Sequence, residues 1–475
     1  MAHDVAMPTE GGAGAEGEQA GLQAGLKSRH LSMIALGGVI GAGLFVGSSA
    51  VIAATGPAAV ISYLVAGALI VLVMRMLGEM ASANPSVGSF AEYARRSIGG
   101  WAGFSVDWLY WYFWVVVIGF EAVAGAVALD RWFDFPLWAM ALVPLLILTG
   151  VNLTSVKNYG EFEFWFAGIK VVAIILFLFM GAAYVLGLWP GTSTDVSNLT
   201  AEGGFAPNGI VSMASAMAVV ILAFIGAEIV TIAAAESAEP EKNVAKATNS
   251  VIVRVLIFYV GSVLLLVTIQ PWNSIEVGTS PFVSALGQLG IPAATEIMNG
   301  IVIIAVLSCL NSGIYTASRM LFALARRGDA PESLLETSRR GVPVKGILLC
   351  TVGGILAVAM AYVSPDTVFL FMINSSGALG LFVYILIAIS ELRMRPMLER
   401  DSPERIRVKM WAFPYLTYVA IIGMVAILLT MAARADTRPQ VTFGALSVLA
   451  VVGVYFVRER RRAAASGGAA AQPAG

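Results

Sequence analysis

An all-α membrane protein of about twelve transmembrane helices is the fold class this chain predicts, and three observations carry the prediction. Only 12% of the 475 residues are charged, against 58% hydrophobic, which is about half the ~25% charge of a soluble domain. Apolar runs of ~20 residues, long enough to cross a bilayer, recur from end to end. The third observation is GGVIGAGLFVG at 37–47, with five glycines in eleven residues inside the first apolar run. Each glycine costs a helix roughly 1 kcal/mol relative to alanine, and irregular backbone at membrane depth persists only where it faces protein or a watery cavity. The stretch therefore reads as a broken helix, unwound over Ile40, Gly41, Ala42 and Gly43, with a new helix starting near Leu44.

The remaining elements follow in order. Residues 1–26, rich in Gly, Ala and Glu, read as a disordered tail, since they lack the basic start and short apolar core of a cleaved signal. The spans are read at 31–54, 57–81, 101–129, 136–152, 162–187, 210–235, 250–270, 293–325, 346–363, 367–390, 414–433 and 441–457. Breakers such as Gly56-Pro57, Asn84-Pro85, Pro271, Ser364-Pro365 and Arg438-Pro439 separate them. Residues 459–475 read as a second tail, which leaves 27–458 as the membrane domain. An even number of spans puts both termini on one side. Apart from Arg75, Lys170 and Arg319 inside spans, every Lys and Arg falls on that side except Arg131, Arg434 and Arg438. The positive-inside rule then places both termini in the cytoplasm, in a multi-pass protein of the plasma (inner) membrane.

A second glycine break, AFIGAE at 223–228, lies in span six and offers Ala223, Phe224, Ile225 and Gly226. Breaks five spans apart, entering from opposite sides, predict an inverted repeat of 27–190 and 205–392, with 410–458 as two added helices. The N–H groups at the first break would favour a carboxylate, and the carbonyls at the second an ammonium. Together they would clamp a zwitterion such as an amino acid. Close packing of small residues is the competing reading of the same glycines.

Ionisable groups within spans are functional candidates by default. Lys170, deep in span five, could take up and release a proton. Glu121 in span three and Glu228 after the second break could receive that proton or meet a substrate amine, and Glu228 could equally hold unwound backbone. Asp107 lies nearer the cytoplasmic end of span three. Arg75 and Glu79 have the spacing of an i, i+4 ion pair, and Arg319 reads as a snorkelling arginine of the same kind. Ser308, Asn311, Ser312 and Tyr315 in span eight, and Asn374, Ser375 and Ser376 in span ten, could line a substrate path or tie helices together. The aromatic run WLYWYFW at 108–114 could close a pocket. Both histidines, His3 and His30, precede the first span, which argues against a metal site or a Ser/His/Asp hydrolase. The two cysteines, Cys309 and Cys350, sit in apolar segments and imply no disulfide framework. No cofactor and no nucleic-acid partner is expected.

Several segments together carry a resemblance: GGVIGAGLFVGS, GEMAS, GSFAEYA, SVKNYGEFEFW at 155–165, AEIVTIAAAESAEPEKNVAKATNSV at 227–251 and SCLNSGIYTASRMLFALARRGDAP at 308–331. They resemble the amino acid permeases of the amino acid–polyamine–organocation superfamily, over about 26–457, and within it the bacterial 4-aminobutyrate permeases most. The resemblance implies two inverted five-helix repeats plus two helices, and secondary transport with protons, amino acid and membrane lipid as partners. It implies that Gly41, Ala42 and Gly43 bind a substrate carboxylate, that Ala223, Phe224 and Ile225 present carbonyls to the amine, and that Lys170 replaces a coupling sodium ion. The expected substrate is 4-aminobutyrate. Another neutral or aromatic amino acid, or amino acid exchange, is the alternative. Asp107 departs from the glycine common at that position of the family.

Overall fold

The computed structural model describes residues 40–83, 89–154, 156–228, 240–291 and 293–469. The tail at 1–26, the start of the first span at 31–39, the loop at 229–239 and residues 470–475 lie outside them. Among the described residues the chain is helical throughout, without strands. Ten helical stretches among the described residues are long and apolar enough to cross a membrane.

The first stretch, Ala42–Ala83, holds two of the segments read from the sequence. It comprises α1 (Ala42–Phe45), α2 (Gly47–Thr55), a tight turn at Gly56–Ala58 with Pro57 in it, and α3 (Ala59–Ala83). Then follow α4 (Ser89–Ser97), α5 (Gly100–Asp130), α6 (Leu137–Thr154), α7 (Val156–Val185) and the shorter apolar α8 (Gly209–Leu222). Helix α9 (Pro240–Arg254) passes through a π-helical stretch, Val255–Gly261, into α10 (Ser262–Ile269). The chain continues through α11 (Pro281–Gln288), α12 (Ala294–Arg326), α13 (Val344–Val363), α14 (Pro365–Asp401), α15 (Tyr415–Ala433) and α16 (Arg438–Ala469).

Burial separates the helices that build the interior from those that face outward. In their most apolar stretches α5 and α12 are 78% and 72% buried, whereas α6 and α16 are 28% and 17% buried. Large side chains such as Phe179, Val363, Ile422 and Leu449 point outward. A surface this apolar belongs against lipid tails, as in a multi-pass membrane protein. Inside, small residues bring helices together: a Cβ grown on Gly377 of α14 would meet the Ala218 carbonyl oxygen of α8 at 2.1 Å. Only glycine lets these two backbones approach so closely.

Several expectations shift. The short helices α4 and α11, of nine and eight residues, were not read from the sequence because neither carries a membrane-length apolar run. Helix α9 starts at Pro240, ahead of the boundary read at 250, α14 runs on to Asp401, and α16 continues helically to Ala469 through the start of the segment read as a tail. Arg75 and Glu79 do not pair. Glu79 is held by Arg395 of α14 at 2.6 Å and by the Met410 N–H at 2.5 Å. Arg75 donates to the Lys409 carbonyl at 2.8 Å and lies over the Trp411 ring at 5.2 Å. The chain at 409–411 supplies both alternatives, and i, i+4 spacing carries no information about it. Arg319 likewise has no i, i+4 acid. It stacks on the Tyr315 ring and donates to that residue's carbonyl at 3.1 Å.

Candidate functional site

The backbone is extended at Gly41 (φ −132, ψ −152) and becomes helical at Ala42. The helix thus starts two residues earlier than the expected Leu44, and of the four residues read as unwound only Ile40 and Gly41 are non-helical. The reason is a cap from another helix. Glu121 of α5 accepts the Ala42 N–H on both carboxylate oxygens, at 3.2 and 3.1 Å, satisfying a donor that a helix start otherwise leaves free. Gly41 admits that carboxylate: a Cβ there would meet Cys309 Cβ at 2.6 Å and Glu121 Oε1 at 2.7 Å.

The second break falls where it was read. Helix α8 ends at Leu222, 223–226 form turns, and Gly226 takes φ 107, a conformation open to glycine at little cost. The Phe224 and Ile225 N–H groups bond only three residues back, to Ile221 and Leu222, at 3.0 and 3.2 Å. The Ala223 carbonyl accepts the Tyr259 hydroxyl at 2.9 Å, and the Phe224 ring lies 4.4 Å from that tyrosine's ring.

The two breaks meet. A Cβ on Gly43 would touch Ala223 Cα at 2.9 Å, and Gly41, Gly43, Ala223, Ile225, Glu121 and Cys309 line one cavity of ≈ 20 Å³. That is room for about one water. The ring of Trp114 and those of Phe113 and Phe120 complete its wall, so part of the aromatic run does close the pocket. One turn along from Gly43, about 4.5 Å of helix, Val46 lies on the floor of a vestibule of ≈ 300 Å³ lined by the ends of α5 and α12 and by 278–287. The vestibule opens at the Arg131 end of the molecule. The opposite end is shut by charge: Arg95 and Arg458 grip Asp329 at 2.6 and 2.7 Å, and Arg327 grips Asp107 at 2.6 Å. Asp107 is thus ion-paired and stands away from the pocket.

Lys170 is wholly buried and meets an acid that the sequence reading did not single out. Its Nζ donates to Ser308 Oγ at 2.8 Å, Ser308 donates to Glu163 at 2.7 and 2.8 Å, and Nζ to Glu163 Oε1 is 3.7 Å. Both side chains are 0% exposed. Seven residues, two helical turns, separate Glu163 from Lys170 on α7, so that spacing could have revealed the pair. Glu228, also buried, is bound by the Tyr110 and Tyr384 hydroxyls, the latter at 2.9 Å, and by the Gly226 N–H at 2.9 Å. It ties α5 and α14 to the second break and leaves Lys170 to Glu163.

The other polar candidates divide. Ser308 is committed to Lys170 and Glu163 and does not line the cavity, and the Ser312 hydroxyl faces Glu163 from the next turn of α12. Asn311 accepts from Asn152 of α6 at 2.7 Å, an inter-helix tie. Ser375 is fully buried with an unpartnered hydroxyl. Asn374 and Ser376 bond back to carbonyls of their own helix, those of Leu370 and Met372, at 2.9 and 2.8 Å.

Comparison with known proteins gives a consistent picture. The family model described as "Amino acid permease" matches residues 30–458. The chain is 51% identical to the gamma-aminobutyric acid permease of Bacillus subtilis, covering 93% of this chain and 95% of the relative. It is 48% identical to the gamma-aminobutyric acid permease of Escherichia coli K12, over 91% and 93%. An aromatic amino acid transport protein of Corynebacterium glutamicum is 41% identical, over 91% and 96%. Among solved structures, a manganese transporter of Eremococcus coleocola aligns with TM-score 0.54 over 91% of this chain and 94% of its own, at 12% identity, a likeness of fold.

Proposed function

Since this chain belongs to the amino acid permease family and thereby to the amino acid transporters of the membrane, we propose that it imports 4-aminobutyrate by proton symport with alternating access. The observation that carries the reading is the carboxylate already seated at the first break: Glu121 on the Ala42 N–H, within 20 Å³ of space shared with the second break. An incoming substrate carboxylate takes over that donor at Gly41, Ala42 and Gly43. Its ammonium goes to the carbonyl side of the pocket at Ala223, Phe224 and Ile225. For this Glu121 must give way. A protonated Glu121 is a weaker acceptor for the helix N-terminus than an anion, so proton uptake and substrate binding favour each other.

The cavity of ≈ 20 Å³ is too small for any amino acid, so binding requires it to widen by parting the two breaks. The charge distribution supports an extracellular Arg131 end, a cytoplasmic Asp329 end and both termini inside, and breaks in spans one and six support two inverted five-helix units. Entry then runs through the vestibule to the cavity, and exit requires the Arg95–Asp329–Arg458 and Asp107–Arg327 pairs to open. At ~100 mV, each charge moved inward contributes roughly 2.3 kcal/mol to accumulation.

The test is uptake of labelled 4-aminobutyrate into proteoliposomes under an imposed pH gradient. Accumulation that collapses with a proton ionophore is expected, and uptake indifferent to it would overturn the symport. The 41% identity to an aromatic amino acid transporter favours a second reading, import of a neutral or aromatic amino acid. Competition by unlabelled amino acids separates the two, since only the preferred substrate competes at the lowest concentration.

A further inference from the structure

We propose that Ser308 is a proton relay between Lys170 and Glu163, forming a three-member wire that carries the coupling proton toward the cytoplasmic side. The proposal rests on the reading of Lys170 as the coupling residue. The geometry is continuous. Lys170 Nζ donates to Ser308 Oγ at 2.8 Å, and the same hydroxyl donates onward to Glu163 at 2.7 Å. The direct Nζ to Oε1 distance is 3.7 Å, longer than a hydrogen bond, so the short route runs through the hydroxyl. All three side chains are 0% exposed, and the serine hydroxyl is the group that bridges the other two at hydrogen-bond distance.

The step balances without a further reagent. An Nζ–H bond breaks as Oγ–H forms, the original Oγ–H breaks, and Glu163 gains the proton. The charged pair Lys⁺/Glu⁻ becomes the neutral pair amine/acid, and the serine is unchanged. In a dry interior that exchange is accessible because separated buried charges are expensive. Direction follows from α7: Glu163 lies two turns, roughly 10 Å along the axis, nearer the Val156 end, which the charge distribution makes cytoplasmic. The groups facing the wire are Glu121 of α5 and Cys309 and Ser312 of α12. Glu121 stands on the cavity side, and Ser312 completes the shell of Glu163. From the sequence Ser308 reads as lining the substrate path or tying helices together, and this assignment gives it a different task.

The experiment compares wild type, Ser308→Ala and Ser308→Thr in proteoliposomes. Three quantities are read: substrate-driven proton uptake, pH-driven accumulation of labelled 4-aminobutyrate, and counterflow exchange at equal pH. Ser308→Ala is expected to lose at least tenfold in the first two, with its accumulation no longer rising on external acidification, while counterflow stays within about twofold. Ser308→Thr, which keeps a hydroxyl, is expected to recover both. Coupling by Ser308→Ala at the wild-type level overturns the relay, and so does loss of counterflow in step with accumulation, which would return Ser308 to the substrate site. Should Ser308→Ala fail to fold, Ser308→Cys, close in volume but only a weak hydrogen-bond donor and acceptor, replaces it: lost coupling with retained counterflow supports the wire, and coupling at the wild-type level sinks it. A wild type that shows no substrate-driven proton uptake refutes the symport itself, an outcome distinct from any of these.

Discussion

A buried ammonium with one buried counter-ion is a poor place for a truncation. Removing one partner of such a pair leaves the other charge uncompensated, typically at about 3–5 kcal/mol. Lys170→Ala is therefore expected to abolish proton-driven accumulation and also to lower thermal stability, because buried Glu163 keeps the Ser308 and Ser312 hydroxyls but loses its counter-ion. The double variant Lys170→Met/Glu163→Gln removes both charges. It should recover most of the stability, read by thermal unfolding in detergent, while accumulation stays absent. Equal stability of Lys170→Ala and the double variant would show that the two residues are not energetically coupled. Lys170 was legible in the sequence because a lysine amid apolar residues stands out. Its partner was not singled out, although the seven-residue spacing puts Glu163 on the same face of α7; the contact through Ser308 that commits it to Lys170 comes only with folding.

Between elements, the close approach of α8 and α14 sets where the second break sits. Gly377→Ala would place a methyl 2.1 Å from the Ala218 carbonyl oxygen, a backbone atom that cannot swing aside. Overpacking of this kind costs about 1–3 kcal/mol. The variant should melt several degrees lower and transport more slowly, since α8 leads directly into 223–226. A melting temperature and uptake rate equal to wild type would show that the helices can part without consequence. Glu228 reinforces the same junction through Tyr110 of α5 and Tyr384 of α14. The break itself was readable as a glycine in an apolar run. The clamp around it comes from helices far away in sequence, so no local pattern announced it.

For the molecule as a whole, the vestibule lies at one end and the Asp329 and Asp107 ion pairs at the other, and which end faces the cytoplasm is open to a labelling test. Thr279 lines the vestibule and Arg460 is exposed on the opposite end of α16, while both native cysteines are buried. Thr279→Cys is expected to react with a membrane-impermeant thiol reagent added to intact cells, and Arg460→Cys only after permeabilisation. The reverse pattern would invert the proposed orientation.

Sequence alone determined that this is a many-helix membrane protein, where its second glycine break lies and, to within two residues, its first, and which family it resembles. Span length, hydropathy, charge placement and glycine content are local quantities that a chain displays whether or not it is folded. What only the tertiary structure decided is which carboxylate meets which donor. Glu121 went to the Ala42 N–H, Glu163 to Lys170 through Ser308, Glu228 to two tyrosines and Glu79 to Arg395. Each of those pairings depends on distances between helices, and a buried charge settles on whichever partner packing brings within a few ångströms, wherever it stands in the chain.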